Sequence, residues 1–164
     1  MAIISNKMID LLNYRIEQEE LSSRIYLAMH IWLSYSGYSG AAKLWKKYSD
    51  EELIHAGWAY QYLLDLNIKP EVPQLKQPQI DFKSLPQIIA LSYQHEIDVT
   101  NQCNELASEA QKNNDQMTYQ FAQRYIEEQV NELQKTQFWI DQLNIFGDDK
   151  VALNLLDSKM KKYK

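Results

Sequence analysis

Glu52 and His55 stand three residues apart, and Glu19, Glu96 and Glu132 each stand in a different long helical stretch. Each interrupts a stripe that is otherwise apolar or aromatic. Residues three apart share a helix face, so Glu52 and His55 can hold one metal ion between them. A buried carboxylate is costly unless it is paired or bound to a cation. Four carboxylates and an imidazole converging inside a helix bundle form a ligand set for two metal ions. Glu19 and His55 complete the shell of one ion, Glu96 and Glu132 that of the other, and Glu52 can bridge through its second oxygen.

One glutamate on a core stripe is ordinarily a boundary residue whose charge reaches water. Four at similar depth, with a histidine one turn from one of them, would repel each other and weaken the fold unless cations sat among them. A carboxylate-rich set suits redox-active iron better than a structural zinc site built on thiolates. Tyr26, two turns beyond Glu19 on the same face, can hold a ligand by hydrogen bond, supply an electron, or serve as a core tyrosine. Gln129, one turn before Glu132, can orient a ligand or bound oxygen.

Long helices must position these groups. Glycine and proline number four each, and the hydrophobic content is 45%, which excludes a disordered chain. Stripes at steps of three and four predict helices over 6–36, 41–67, 84–112, 115–144 and 149–160. Gly37, Gly40 and Gly147 mark turns, whereas Gly57 lies inside a helical pattern and is expected to permit a close helix contact. Pro70, Pro73, Pro78 and Pro86 crowd around the link 68–83. Extended at about 3.3 Å per residue, that link can cross a helix length of about 40 Å. The fold class expected is all-α: two hairpins joined by one long crossover, with a short fifth helix, in a single domain over 1–164. Glu96 and Glu132 lie at matching distances from their turn. Glu52 lies nearer its turn than Glu19, which a tilt or stagger must absorb.

The net charge of −5 argues against nucleic acid and for attraction of cations. No run of about 18 apolar residues exists, so no membrane span is expected. The single cysteine, Cys103, fits a reducing compartment and reads as a small core residue. The opening Met1-Ala2-Ile3-Ile4-Ser5-Asn6-Lys7 is too polar for a secretion signal, so a cytoplasmic protein is expected. His30 reads as a hydrogen-bonded core or interface residue, and His95 points away from the Glu96 face. Tyr35, Tyr38, Trp58 and Tyr60 lie beyond the inner stripes and require cover, expected from symmetric subunit contacts. The basic tail Lys159-Met160-Lys161-Lys162-Tyr163-Lys164 suits a helix C-terminus.

Four stretches together resemble the non-haem ferritins, particularly the bacterial branch of this ferritin-like di-iron family. They are Glu19-Glu20-Leu21-Ser22-Ser23-Arg24-Ile25-Tyr26, Asp50-Glu51-Glu52-Leu53-Ile54-His55, His95-Glu96, and Glu128-Gln129-Val130-Asn131-Glu132. Each motif is weak alone and specific in combination, and the resemblance covers nearly the whole chain. It implies a ferritin-like four-helix bundle. It further implies that Glu19, Glu52, His55, Glu96 and Glu132 are ferroxidase ligands, with Tyr26 and Gln129 beside them. The implied function is iron storage: Fe(II) is oxidised to Fe(III) by O2 or H2O2 and deposited as ferric mineral inside a shell of twenty-four identical subunits.

Departures refine the resemblance. A third iron position would match Glu51, Glu128, Asn131 and the shared Glu132, but Asn131 stands where the family pattern has a glutamate. The lost charge predicts a weaker third site, since an amide oxygen is a poor ligand for a hard cation. Asn131 also separates the chain from bacterioferritins and rubrerythrins, whose second Glu-x-x-His needs a histidine there. No haem is expected, because none of Met1, Met8, Met29, Met117 and Met160 lies in the second helix. The alternative function is a soluble di-iron oxidase or peroxidase of rubrerythrin-like type without storage. The lone cysteine excludes the Cys-x-x-Cys segment that usually accompanies it.

Overall fold

A computed structural model describes residues 3–163; Met1, Ala2 and the tail's Lys164 lie outside the described residues. The chain forms α1 (Asn6–Tyr35), α2 (Ser39–Asp65), α3 (Leu85–Lys112), α4 (Gln116–Phe146) and α5 (Lys150–Lys162), with no strand among the described residues. This is the expected all-α bundle with its short last helix. Local chemistry sets most ends. Ser5 and Ser84 accept hydrogen bonds from the first turns of α1 and α3, and Pro86 sits at the start of α3, where its missing N–H costs nothing. Asp115 caps α4 through the Thr118 N–H at 3.0 Å, and Asp149 caps α5 through the Val151 and Ala152 N–H groups. Gly37 at φ +88° and Gly147 at φ +90° hold left-handed positions that end α1 and α4. Lys159, Lys161 and Lys162 occupy the last turn of α5, where positive charge suits the helix dipole.

The helix α1 packs along α2, and α3 along α4; α1 also meets α3. The apolar core divides into two clusters rather than one. The first gathers Leu33, Trp45, Leu85, Ile88, Trp139 and Leu156. The second gathers Met8, Leu12, Ile16, Leu63, Leu106 and Tyr125. The buried polar residues of the stripes belong to neither cluster.

Two glycine expectations change. Gly57 faces open space on this chain, so no helix contact requires it. Gly40 lies inside the first turn of α2 rather than in the preceding turn, and this helix begins at Ser39, earlier than the stripe indicates. Tyr38 gives α2 no side-chain cap. The Asp157 carboxylate of α5 supplies it instead, accepting from the Gly40 N–H at 3.1 Å and the Ala41 N–H at 2.7 Å. Tyr38, Trp58 and Tyr60 are half-buried against the two clusters, not surface residues awaiting cover, and Arg124 stacks over Trp58 at 3.8 Å. Only Tyr35 of those four is exposed, at 92%. Among the described residues, no helix is long and apolar enough to cross a membrane.

The backbone contact at Gly40 makes a direct prediction. A Cβ there would lie 2.0 Å from the Asp157 carbonyl oxygen and 2.9 Å from the Lys161 nitrogen, both main-chain atoms. Gly40→Ala must push α5 off the start of α2. Denaturant unfolding of the metal-free protein should show a loss of about 1–3 kcal/mol, with faster proteolysis within α5. Unchanged stability would show that α5 does not seat against this turn.

Candidate metal centre

One long helix supplies each part of the centre. Glu19 comes from α1, Glu52 and His55 from α2, Glu96 from α3 and Glu132 from α4, and all five are buried. Ligand atoms of Glu19, Glu52 and His55 lie within 4.8 Å of one another, as do those of Glu52, Glu96 and Glu132. Glu52 is common to both triads. His55 Nδ1 lies 3.1 Å from Glu52 Oε2 and 3.9 Å from Glu19 Oε2. The offset between Glu19 and Glu52 along the first hairpin does not keep them apart.

Neighbouring side chains fix these candidate ligands. The Tyr26 hydroxyl donates to Glu96 Oε1, reaching across the bundle rather than along its own helix to Glu19. Gln129 Nε2 donates to the other Glu96 oxygen at 3.1 Å. Both Glu96 oxygens are thereby oriented. The Tyr125 hydroxyl donates to the His55 carbonyl at 2.6 Å and pins that turn of α2. His30 bonds the Ala42 carbonyl at 2.8 Å, and His95 bonds Ser22 Oγ at 2.8 Å, so both are engaged away from the triads.

Two cations complete the surroundings, and neither was among the residues singled out from the stripes. The Arg15 guanidinium is buried with its Nε 2.8 Å from Glu19 Oε1. It faces Glu19 as a charge rather than as an aligned donor, and its Nη2 is buried without a hydrogen-bond partner. Its Nη1 reaches Gln102 and Cys103 on α3. Lys135 Nζ lies 2.8 Å from Glu132 Oε1 and 2.9 Å from Glu51 Oε2. The sequence signal for both is their spacing, four residues before Glu19 and three after Glu132. Of the third-position residues, Glu128 Oε1 lies 4.0 Å from His55 Nε2 and groups with His55 and Glu132, while Asn131 is exposed.

Burial dominates the titration of this centre. Glu52 is pushed well above the usual carboxylate range, first by burial and then by repulsion from Glu19, Glu96 and Glu132. Burial lifts Glu132 to about 8 against the opposing pull of Lys135. Burial lowers His55, which favours the neutral imidazole whose lone pair can bind a metal. Burial raises the Cys103 thiol to about 12, which keeps it protonated and outside any ligand set. Four carboxylates with one imidazole and no thiolate fit a divalent ion of the first transition row.

A carboxyl whose folded pKa is raised stabilises the fold most below its unfolded value. That contribution is lost as pH rises through the folded value. For Glu132 the window runs from the ordinary 4.5 to about 8, and Glu52 acts in the same direction. The metal-free protein should therefore lose thermal stability as pH rises from about 5 to about 8. Glu52→Gln should flatten that decline and raise Tm by a few degrees at the upper end, about 1 kcal/mol or more. Melting curves of metal-free protein across this range check it; parallel declines in the two proteins would contradict it.

Comparisons agree with this architecture. The ferritin-like domain family model matches residues 9–146. The chain is 31% identical over 158 residues to the bacterial non-heme ferritin of Escherichia coli O157:H7, covering 96% of each chain. It is 29% identical over 159 residues to that of Campylobacter jejuni, covering 97% of this chain and 95% of the other. An open-pore ferritin from the hyperthermophilic archaeon Archaeoglobus fulgidus superposes with a TM-score of 0.95 at 29% identity, over 99% of this chain and 100% of that one. With a family match across four helices and the same fold from end to end, the chain belongs to the ferritin family.

Proposed function

We propose that the chain is an iron-storage subunit with ferroxidase activity, with Fe(II) as substrate and O2 or H2O2 as electron acceptor. The observation that carries this reading is the sharing of Glu52 by two buried triads. Two Fe(II) ions each give up one electron. Together they reduce O2 with two protons to H2O2, or H2O2 with two protons to two waters. Fe(III) then passes into the interior of a closed shell of twenty-four identical subunits. The relatives' name, bacterial non-heme ferritin, supports the storage role.

The chain's own residues prepare the site. Glu52 and Glu132, raised by burial, release protons as Fe(II) binds, so affinity rises with pH. Tyr26 and Gln129 hold Glu96 in place, and neutral His55 offers its lone pair. Arg15 offsets part of the charge on Glu19. No haem and no nucleic acid enter this reading, and the cytoplasm is the proposed location. Ile31, Tyr35, Ile54 and Leu64 are more than half exposed on α1 and α2, and subunit contacts in a shell would cover such a surface.

Rapid mixing of Fe(II) with aerated protein tests the chemistry. Glu52→Ala should slow the fast oxidation phase by about 10-fold or more while the fold is kept. An unchanged fast phase removes Glu52 from the mechanism. Storage is tested by particle size in neutral buffer. Hollow particles of about twenty-four subunit masses are expected. Dimers that still oxidise Fe(II) would favour a di-iron oxidase or peroxidase without storage.

A further inference from the structure

The resemblance implies a third metal position at Glu51, Glu128, Asn131 and Glu132, of which Glu132 also belongs to the second triad. His55, Glu128 and Glu132 group closely enough to hold an ion, but the charges on Glu51 and Glu132 already face a fixed cation. Lys135 Nζ lies between Glu51 Oε2 and Glu132 Oε1, at 2.9 and 2.8 Å. Lys47 Nζ stands 3.7 Å from the other Glu51 oxygen, so both oxygens of that carboxylate face an ammonium. Glu128 Oε1 stands 4.0 Å from His55 Nε2, and Asn131, exposed, contributes no charge.

The ammonium is well held. Lys135 follows Glu132 by one turn, so both project from one face of α4. Its side chain is 23% exposed and lies 5.1 Å from the Tyr48 ring centre, where the electron-rich face adds attraction. A positive group at hydrogen-bond distance from two carboxylates does there what a bound cation would do. It also repels any metal ion that approaches the same oxygens.

We propose that the Lys135 ammonium is a tethered counter-ion that takes the third cation position, so that this centre holds two metal ions per subunit. Lys135 is then a positioning residue for Glu51 and Glu132. The inference rests on the two-triad reading of the centre, and its test separates the two.

Crystals of the wild type, Lys135→Met and Lys135→Arg are soaked in Zn(II), which binds without redox turnover, and measured at the zinc edge. In the wild type, both triads fill and the position beside Glu51 stays empty. Lys135→Met gains a third Zn(II) between Glu51, Glu128 and Glu132, because the local repulsion is lost. Lys135→Arg, which restores the charge, empties that position again. Filled triads in each variant are the control for folding. Where Lys135→Met does not assemble, Lys135→Gln removes the same charge with a polar side chain. A third Zn(II) in the wild type, an empty third position in the neutral variant, or a filled one in Lys135→Arg overturns the inference. Empty triads in the wild type overturn the two-triad reading and take this inference with it.

Discussion

Four carboxylates in the dry middle of a helix bundle must be neutralised, and the rest of the molecule is arranged around that need. The apolar core is split into two clusters. Glu19, Glu52, Glu96 and Glu132 are buried, and burial together with repulsion from the other three disfavours the charge on Glu52. Three kinds of positive charge can answer. Protons answer at Glu52 and Glu132. The fixed cations Arg15 and Lys135 answer at Glu19 and at the Glu51–Glu132 pair. In the proposed function, metal ions answer at the two triads. Removing one partner from a buried pair costs far more than the pair contributes, so these groups act as a set.

On the proposed reading, this arrangement trades stability for metal binding. Apolar residues of similar volume would pack the same space without repulsion. The chain instead keeps Glu96 fastened by Tyr26 and Gln129, and holds the His55 turn through Tyr125. In the proposed function, such fastening keeps these groups in place before an ion arrives, so less ordering is needed on binding. Large buried aromatics, among them Trp45 and Trp139, pack the first cluster, and α5 docks through Asp157 onto the start of α2.

Much of this was legible in the sequence, because helix periodicity is a strong signal and buried charge is a rare one. The five helices and the convergence of Glu19, Glu52, His55, Glu96 and Glu132 follow from stripes at steps of three and four, and the crossover was expected from the proline-rich link. Arg15 and Lys135 were not legible. Long basic side chains ordinarily run outward to water, and spacing alone does not say that they turn inward to a carboxylate. The role of Gly40 was hidden for another reason. Its closeness to Asp157 is a contact between residues 117 positions apart, which no local pattern encodes. Gly57 shows the converse, a glycine in a helical pattern with nothing packed against it.

The claim on which the account turns is that Glu52 joins two metal positions. Crystals loaded anaerobically with Fe(II) and measured at the iron edge test it most directly. The account predicts two peaks about 3.5–4 Å apart, one against Glu19 and His55, the other against Glu96 and Glu132, with a Glu52 oxygen on each. A single peak, or iron bound with Glu52 turned away from it, would contradict the account.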